Sequence, residues 1–311
     1  MRVRYAAAVC IPAVVLASCG GAIGPPVVRG GPAAAPAAIR EDLLYIVDRG
    51  ARAVDIYSFP QLQRTGRLRG LSPTGDCADG DGNVWITSVA GSIVEFPHGG
   101  SRRLKTLHLT SGEAAKSCAV DPKTGNLAVT SDGPVYVFVH ARGPHREYRA
   151  RWSSGDYCTY DNAGNLYVAG TVGEERKFVA AAWALNRQEH GLRRLDFHGR
   201  VHFAYSGGMQ WDGHDVAWGD LQGIASHTAV IYQIDPRKRR DKFVGNTPLI
   251  LRGDLGQFFI RGHTAFVPYF IAPRGGAVAI FNYPSGGDRL ATITGFRQPV
   301  AVTFSAAASR R

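Results

Sequence analysis

A short pattern recurs along this chain at intervals of roughly 40 residues, the spacing of repeat architectures in which one supersecondary unit is laid against the next. Ser117-Cys118-Ala119-Val120-Asp121 is followed by Gly125-Asn126-Leu127-Ala128-Val129, and Tyr157-Cys158-Thr159-Tyr160-Asp161 by Gly164-Asn165-Leu166-Tyr167-Val168. Upstream, Asp76-Cys77-Ala78-Asp79 and Gly82-Asn83-Val84-Trp85-Ile86 repeat the pattern with one residue fewer before the aspartate. Each instance reads as strand, turn and strand. The Asp carboxylate accepts backbone N–H groups within the turn, and Gly-Asn tolerates the positive φ that such a hairpin demands. These aspartates are therefore structural. The run from Asp79 to Asn83 has the alternating oxygens of a calcium loop but lacks the distal glutamate that completes one.

A third strand follows each pair, an apolar run with Tyr or Phe near its end, as in Val54-Asp55-Ile56-Tyr57-Ser58-Phe59 and Val278-Ala279-Ile280-Phe281. A fourth, more polar and basic strand comes after a Gly-rich turn, as at 102–109 and 289–294. Four antiparallel strands per unit with the polar one outermost make a propeller blade. Inner strands at 76–79, 117–121, 157–161, 208–212, 257–260 and 299–304 predict an all-β propeller of six blades over residues 41–305. The chain begins in a second strand, Leu43-Leu44-Tyr45-Ile46-Val47, and ends in a first one, so the C-terminal strand is expected innermost in the N-terminal blade. A longer insertion at 170–190 blurs the strands of the fourth unit.

The first forty residues read as an address. Arg2 and Arg4 precede a charge-free run ending in Leu16-Ala17-Ser18-Cys19, shorter than the ~20 apolar residues of a membrane span and closed by small residues as cleaved export signals are. Leu16 to Cys19 resembles the bacterial lipobox, which implies a signal peptide at 1–18 and lipidation of Cys19. Residues 19–40, rich in Gly, Ala and Pro, form a tether that cannot build a core, and 306–311 a disordered tail. The resemblance implies a lipid-anchored protein of the bacterial cell envelope. Gly20, rather than aspartate, after the cysteine favours the outer membrane, with the folded domain facing the periplasm or the cell surface.

The repeats resemble the NHL-like propellers, whose blades carry Gly-Asn-Leu-Tyr-Val as residues 164–168 do. More closely, the segments at 118–130, 157–166, 208–213 and 294–303 resemble a family of exported bacterial lipoproteins of uncharacterised activity. That resemblance implies the six-bladed fold and no particular chemistry.

The formal charge of +11 is spread over many short runs, the densest being Arg237-Lys238-Arg239-Arg240, Arg102-Arg103 with Lys105, and 142–151. For an exported protein it excludes no class of acidic partner except nucleic acid, since charge alone is not a recognition motif. Of five cysteines, Cys77, Cys118 and Cys158 fall in the folded domain. Their inner-strand places favour free buried thiols. An inter-blade disulfide is permitted by an oxidising compartment, and the one-residue slip of Cys77 argues against a shared zinc ion. None of the ten histidines has a metal-binding spacing; His198 and His202 sit around a turn. No nucleophile elbow, phosphate loop or dinucleotide fingerprint is present.

The residues that open the inner strands, Asp76, Ser117, Asp156, Gln210, Gln257 and Gln298, form a candidate ring of carboxylates and amides at the mouth of the central channel. Such a ring suits a polar ligand, a saccharide or a peptide. The expected function is that of a monomeric, membrane-anchored binding or scaffold protein with no catalytic residue and no cofactor, whose partner is an envelope protein, a peptide or a saccharide. The alternative, by likeness to gluconolactonase-like propellers, is a hydrolase or lyase holding one calcium or zinc ion, although their Ser-Asn-Gly-Leu motif has no match here.

Overall fold

The computed structural model describes residues 41–307 except 111, 153, 174–178, 189, 196–205, 221–227 and 238–241. The expected signal peptide, Cys19, the tether, the histidine pair and residues 308–311 of the expected tail lie outside the described residues.

Strand Asp42–Asp48 is buried at every position but its first. Side chains alternate between the two faces of a strand, so Leu43, Tyr45 and Val47 enter one apolar cluster and Leu44 and Ile46 another. A sheet that is apolar on both faces must be covered on both. The fold meets that demand six times over. Six antiparallel sheets, five of four strands and one of five, stand side by side as blades, with six apolar clusters between neighbours. The only helical element among the described residues is a short 3₁₀ turn at Val139–Ala141.

Blades are numbered in chain order from the N-terminus. Blade 1 is ordered Pro299–Ser305, Asp42–Asp48, Ala53–Phe59 and Arg64–Leu68 from the axis outward. Its innermost strand comes from the C-terminal end of the chain, as the sequence predicts, and runs antiparallel to the first strand from Leu43↔Ser305 to Asp48↔Pro299. Asp48 fixes this closure: its Oδ2 accepts from Arg297 N at 3.0 Å and its Oδ1 from Gln298 N at 2.8 Å. The innermost strands of blades 2 to 5 are Pro73–Ala78, Cys118–Val120, Ser154–Tyr160 and Ser206–Trp211. The insertion expected to blur blade 4 leaves Leu166–Val172 and Val179–Leu185 paired in continuous register.

Blade 6 departs from expectation. Its inner strand is broken into Asp254–Leu255 and Phe259–Arg261, and the residues between them shift toward blade 1. Gln257 N donates to Val300 O at 2.8 Å and Val302 N to Gln257 O at 3.0 Å, a parallel bridge across the closing seam. Gly256 makes the approach possible, because a Cβ there would stand 2.1 Å from Val300 O.

The hairpin aspartates act as read. Asp79 Oδ1 accepts from Asp81 N and Asn83 N at 3.0 and 2.9 Å, and Asp161 Oδ1 from Ala163 N and Asn165 N at 2.8 and 2.9 Å.

The cysteines correct the reading of three free thiols. Cys77 and Cys118 form a disulfide between the inner strands of blades 2 and 3, and Cys158 is a buried free thiol. The phase slip is the cause. Cys118 and Cys158 point back toward the preceding blade, whereas Cys77, one position out of step, points forward into the cluster that holds Cys118. What weighs against a three-sulfur site brings two sulfurs together.

Two outcomes follow. The disulfide closes a loop with a sequence separation of 41, for which loop entropy alone gives on the order of 4 kcal/mol; Cys118→Ser should lower the urea midpoint accordingly, and dithiothreitol should lower the wild type to match. Deleting residues 299–305 should abolish cooperative unfolding of the whole domain in calorimetry, because it opens two blade interfaces as well as one sheet.

Candidate functional site

The blades converge on the axis, and their connections divide it into two ends. The innermost-to-second and third-to-outer connections lie on one face, here the turn face; the opposite connections form the mouth face. Midway, Ser117 Oγ donates to Gln257 Oε1 at 3.0 Å. These residues belong to blades 3 and 6, on opposite sides of the ring, so the bond spans the axis. Two cavities with no lining residue in common lie on either side, one of about 490 Å³ toward the mouth face and one of about 240 Å³ toward the turn face.

The larger of the two is a polar funnel lined by residues of blades 1 to 5, among them Arg49, Thr74, Lys116, Asp132, Asp156 and Thr171. Its centre is Lys116, just before the inner strand of blade 3. Lys116 Nζ stands 2.5 Å from Asp132 Oδ1 and 3.4 Å from Asp156 Oδ1, and also contacts Ser154 Oγ. Asp156 accepts from Ser154 Oγ at 2.5 Å and from Thr171 Oγ1 at 3.0 Å. Lys116 and Asp156 are only partly exposed, whereas Asp132 is largely open to solvent. The network therefore has a rigid inner part and an adaptable outer carboxylate.

The backbone beneath is fixed by threonines at the ends of second strands. Thr87 Oγ1 donates to Lys116 O at 3.0 Å, and Thr130 Oγ1 to Asp156 O at 3.1 Å, each tying one blade to the next. Chemically, the funnel offers an ammonium donor, two carboxylate acceptors and hydroxyls that both donate and accept. Such a set recognises a polar, neutral or zwitterionic molecule.

The six residues expected to ring the mouth are spread along the axis. Asp156 lines the funnel. Ser117 and Gln257 form the bond across the axis. Gln210 lies at the turn-face end, where both ends of its amide are used by blade 6: Nε2 donates to Ile260 O at 3.0 Å, and Oε1 accepts from Ile260 N at 2.5 Å. Gln298 is half-buried beside the closure and accepts from Arg49 N through its backbone carbonyl. Asp76 is enclosed. It pairs with Ile86 in the sheet, on the face covered by blade 1, and neither carboxylate oxygen has a hydrogen-bond partner among the described residues. Of the six, only Asp156 lines the funnel, because strand alternation turns Asp76 sideways and the length of the strand carries Gln210 to the far end.

Sequence reasoning missed Lys116, Asp132, Ser154 and Thr171. Lys116 and Ser154 immediately precede or open inner strands, a position that could have marked them; Asp132 and Thr171 come from connections and strand ends with no motif. It also missed a cleft of about 610 Å³ between blades 5 and 6, lined by Asp212, His214, Asp215 and Tyr283. There the polar groups are engaged: Tyr283 donates to Asp212 Oδ2 at 2.5 Å, and Asp212 Oδ1 accepts from His214 N and Asp215 N at 2.8 Å each.

Asp76 and Asp156 lie in different compartments, and among the described residues no three His, Cys, Asp or Glu side chains converge on one point.

No family model and no curated protein sequence matches the chain. Solved structures do. A protein of unknown function from Bacteroides caccae superposes with a TM-score of 0.60 at 14% identity, over 85% of this chain and 99% of that one. A functionally unknown protein from Desulfotomaculum acetoxidans gives 0.59 at 13%, again over 85% and 99%. TolB from Acinetobacter baumannii gives 0.60 at 12% identity, over 86% of this chain and 67% of that one. At such identities the likeness is one of fold.

Burial of Asp76 raises its pKa well above the ordinary carboxylate range. From about pH 4 upward the unfolded chain ionises this group while the folded chain keeps it protonated, so its contribution to stability falls as pH rises. Asp76→Asn should therefore stabilise the protein at pH 8, by on the order of 1–3 kcal/mol, with the difference shrinking toward pH 4. Paired urea denaturations of wild type and variant at the two pH values measure it.

Proposed function

We propose that this protein is a lipid-anchored, non-catalytic propeller of the bacterial cell envelope that binds a polar saccharide or peptide ligand in its mouth-face funnel. The observation that carries the reading is the Lys116–Asp132–Asp156 network at the wall of a blind polar cavity. Donors and acceptors of both signs stand within one ligand's reach, on backbone held by inter-blade hydrogen bonds. Preorganised groups of this kind give orientation and specificity to a small polar molecule.

Anchoring and location are read from the leader, with Cys19 as the acylated residue, and the Cys77–Cys118 disulfide supports export, since such bonds persist in oxidising compartments. The outer membrane and a monomeric state complete the reading. The propeller needs no second chain to cover an edge at its closing blade. The partners are the membrane, through the acyl chains, and the funnel's ligand. The hydrolase alternative finds no convergent ligand set among the described residues.

Two measurements test this. Palmitate labelling in a bacterial host should mark the wild type and not Cys19→Ala, which should leave the membrane fraction. On arrays of envelope-derived glycans and short peptides, any ligand of the wild type should be weakened at least about tenfold, the equivalent of one charged hydrogen bond, by Asp156→Ala or Lys116→Ala and little by Asp288→Ala on the turn face. Equal binding by all variants would place the ligand elsewhere.

A further inference from the structure

The chain enters the ring on the turn face. Asp42 pairs with Phe59 and Leu43 with Ser305, so the start of the first strand, the end of the third and the end of the innermost lie together. The junction is held there. His98 Nε2 stands 3.0 Å from Glu41 O and Nδ1 2.6 Å from Ser305 Oγ, while Asp42 accepts from Ala307 N and Arg261 at 2.9 Å each. A tether leaving Glu41 starts on this face, opposite the funnel.

The same face carries exposed cations. Arg102 and Arg103 lie in the third-to-outer connection of blade 2, Lys123 in the hairpin of blade 3, and Arg142 and Arg187 in the third-to-outer connections of blades 3 and 4. That these connections share one face is confirmed by contacts between them: His140 N donates to Asn126 Oδ1 and Arg187 N to Asn165 Oδ1. No ion pair among the described residues involves these five side chains. Among the described residues of blades 5 and 6, Arg237 is instead paired with Asp235 and Asp215 and Arg261 with Asp42. Two of the basic connections also expose an aliphatic side chain: Leu104, 46% exposed, follows Arg103, and Val139, 37% exposed, precedes His140. Cations flanking exposed apolar tips suit the interfacial zone of a bilayer, where charges meet phosphates and the tips enter the headgroup boundary.

We infer that the turn face of blades 2 to 4 docks on the anionic lipid headgroups of the membrane that holds the anchor, and so presents the funnel away from the bilayer. The orientation rests on the reading of Cys19 as the anchor; the lipid-binding face stands on the loops themselves. Lipidation by itself selects no face of the domain. Docking converts it into a platform with one face on the lipid and the other toward soluble ligands.

Every described strand of the ring comes from residues 42–305, which lie within the compact unit Ile39–Arg311, so a chain starting at residue 39 and lacking the anchor tests the face. It should co-sediment with vesicles of phosphatidylglycerol and phosphatidylcholine in 0.1 M salt, not with phosphatidylcholine alone, and release in 0.5 M salt. Each cation near an anionic surface changes binding by about fivefold, so Arg102→Glu, Arg103→Glu and Arg142→Glu together should weaken the partition at least about a hundredfold. Arg69→Glu with Arg151→Glu on the mouth face should stay within about threefold, being beyond a Debye length of about 10 Å from the contact. Binding that ignores lipid charge, equal loss in both variant sets, or preference for soluble polygalacturonate over vesicles would overturn the inference. Acylation is scored separately by intact mass: an unacylated chain whose domain still binds anionic vesicles loses the anchor and keeps the docking face, and an acylated chain whose domain does not bind loses the face.

Discussion

Each blade of this protein is a sheet whose two faces are both apolar, and no linear arrangement of such sheets can bury all of them. A row of six would leave one oily face at each end. Bringing the last blade against the first removes both, and the pairing of Pro299–Ser305 with Asp42–Asp48 secures the join by backbone hydrogen bonds, since the blade that closes the ring contains both ends of the folded chain. The remaining features of the structure follow from this closure. Asp48 accepts from the backbone just before the C-terminal strand, and Arg261 reaches across from blade 6 to Asp42 while its guanidinium lies 3.6 Å from the centre of the Phe304 ring. Polar and aromatic contacts therefore accumulate at the one seam that is not continuous in sequence.

Closure also forces six inner strands toward one axis, where space runs out. Side chains there meet partners from other blades: Ser117 reaches Gln257 across the ring, Gln210 clamps Ile260 of the next blade, and Cys77 reaches Cys118 of the next. Because backbone groups near the axis must be satisfied within a narrow channel, the broken strand of blade 6 pairs with blade 1 through Gln257. The axis is consequently blocked at mid-height, and what would be a through-channel becomes two blind cavities of different character. Toward the mouth face the walls end in Lys, Asp, Ser and Thr; toward the turn face they end in cysteines, aromatics and amides already used for packing.

The two faces differ for a local reason. Hairpin turns need Asp, Gly and Asn at set places, and these side chains spend their hydrogen-bonding capacity on their own backbone, as Asp79 and Asp161 do. The mouth face has no such recurrent turn chemistry, so its polar groups remain able to face the cavity, as the Lys116 network does.

The repeat was legible in the residues because period-two apolar strands and Asp/Gly-Asn turns are local chemistry, and the count of six inner strands, the innermost place of 299–304 and the structural role of the aspartates all follow from it. The broken strand of blade 6 was not legible, since it depends on how closely Gly256 can approach Val300. Nor was the disulfide. The phase of Cys77 was visible, but which way an inner strand faces its neighbour is a property of the assembled ring. The candidate ring of Asp76, Ser117, Asp156, Gln210, Gln257 and Gln298 was drawn by position along each strand, and only Asp156 meets the funnel. By itself the sequence determined the architecture, because it is written in short-range patterns of polarity and turn residues. The tertiary structure alone decided which side chains share a cavity, because residues 40 to 140 positions apart meet only once the ring has closed and each strand's twist has assigned its side chains to the axis or to a blade interface.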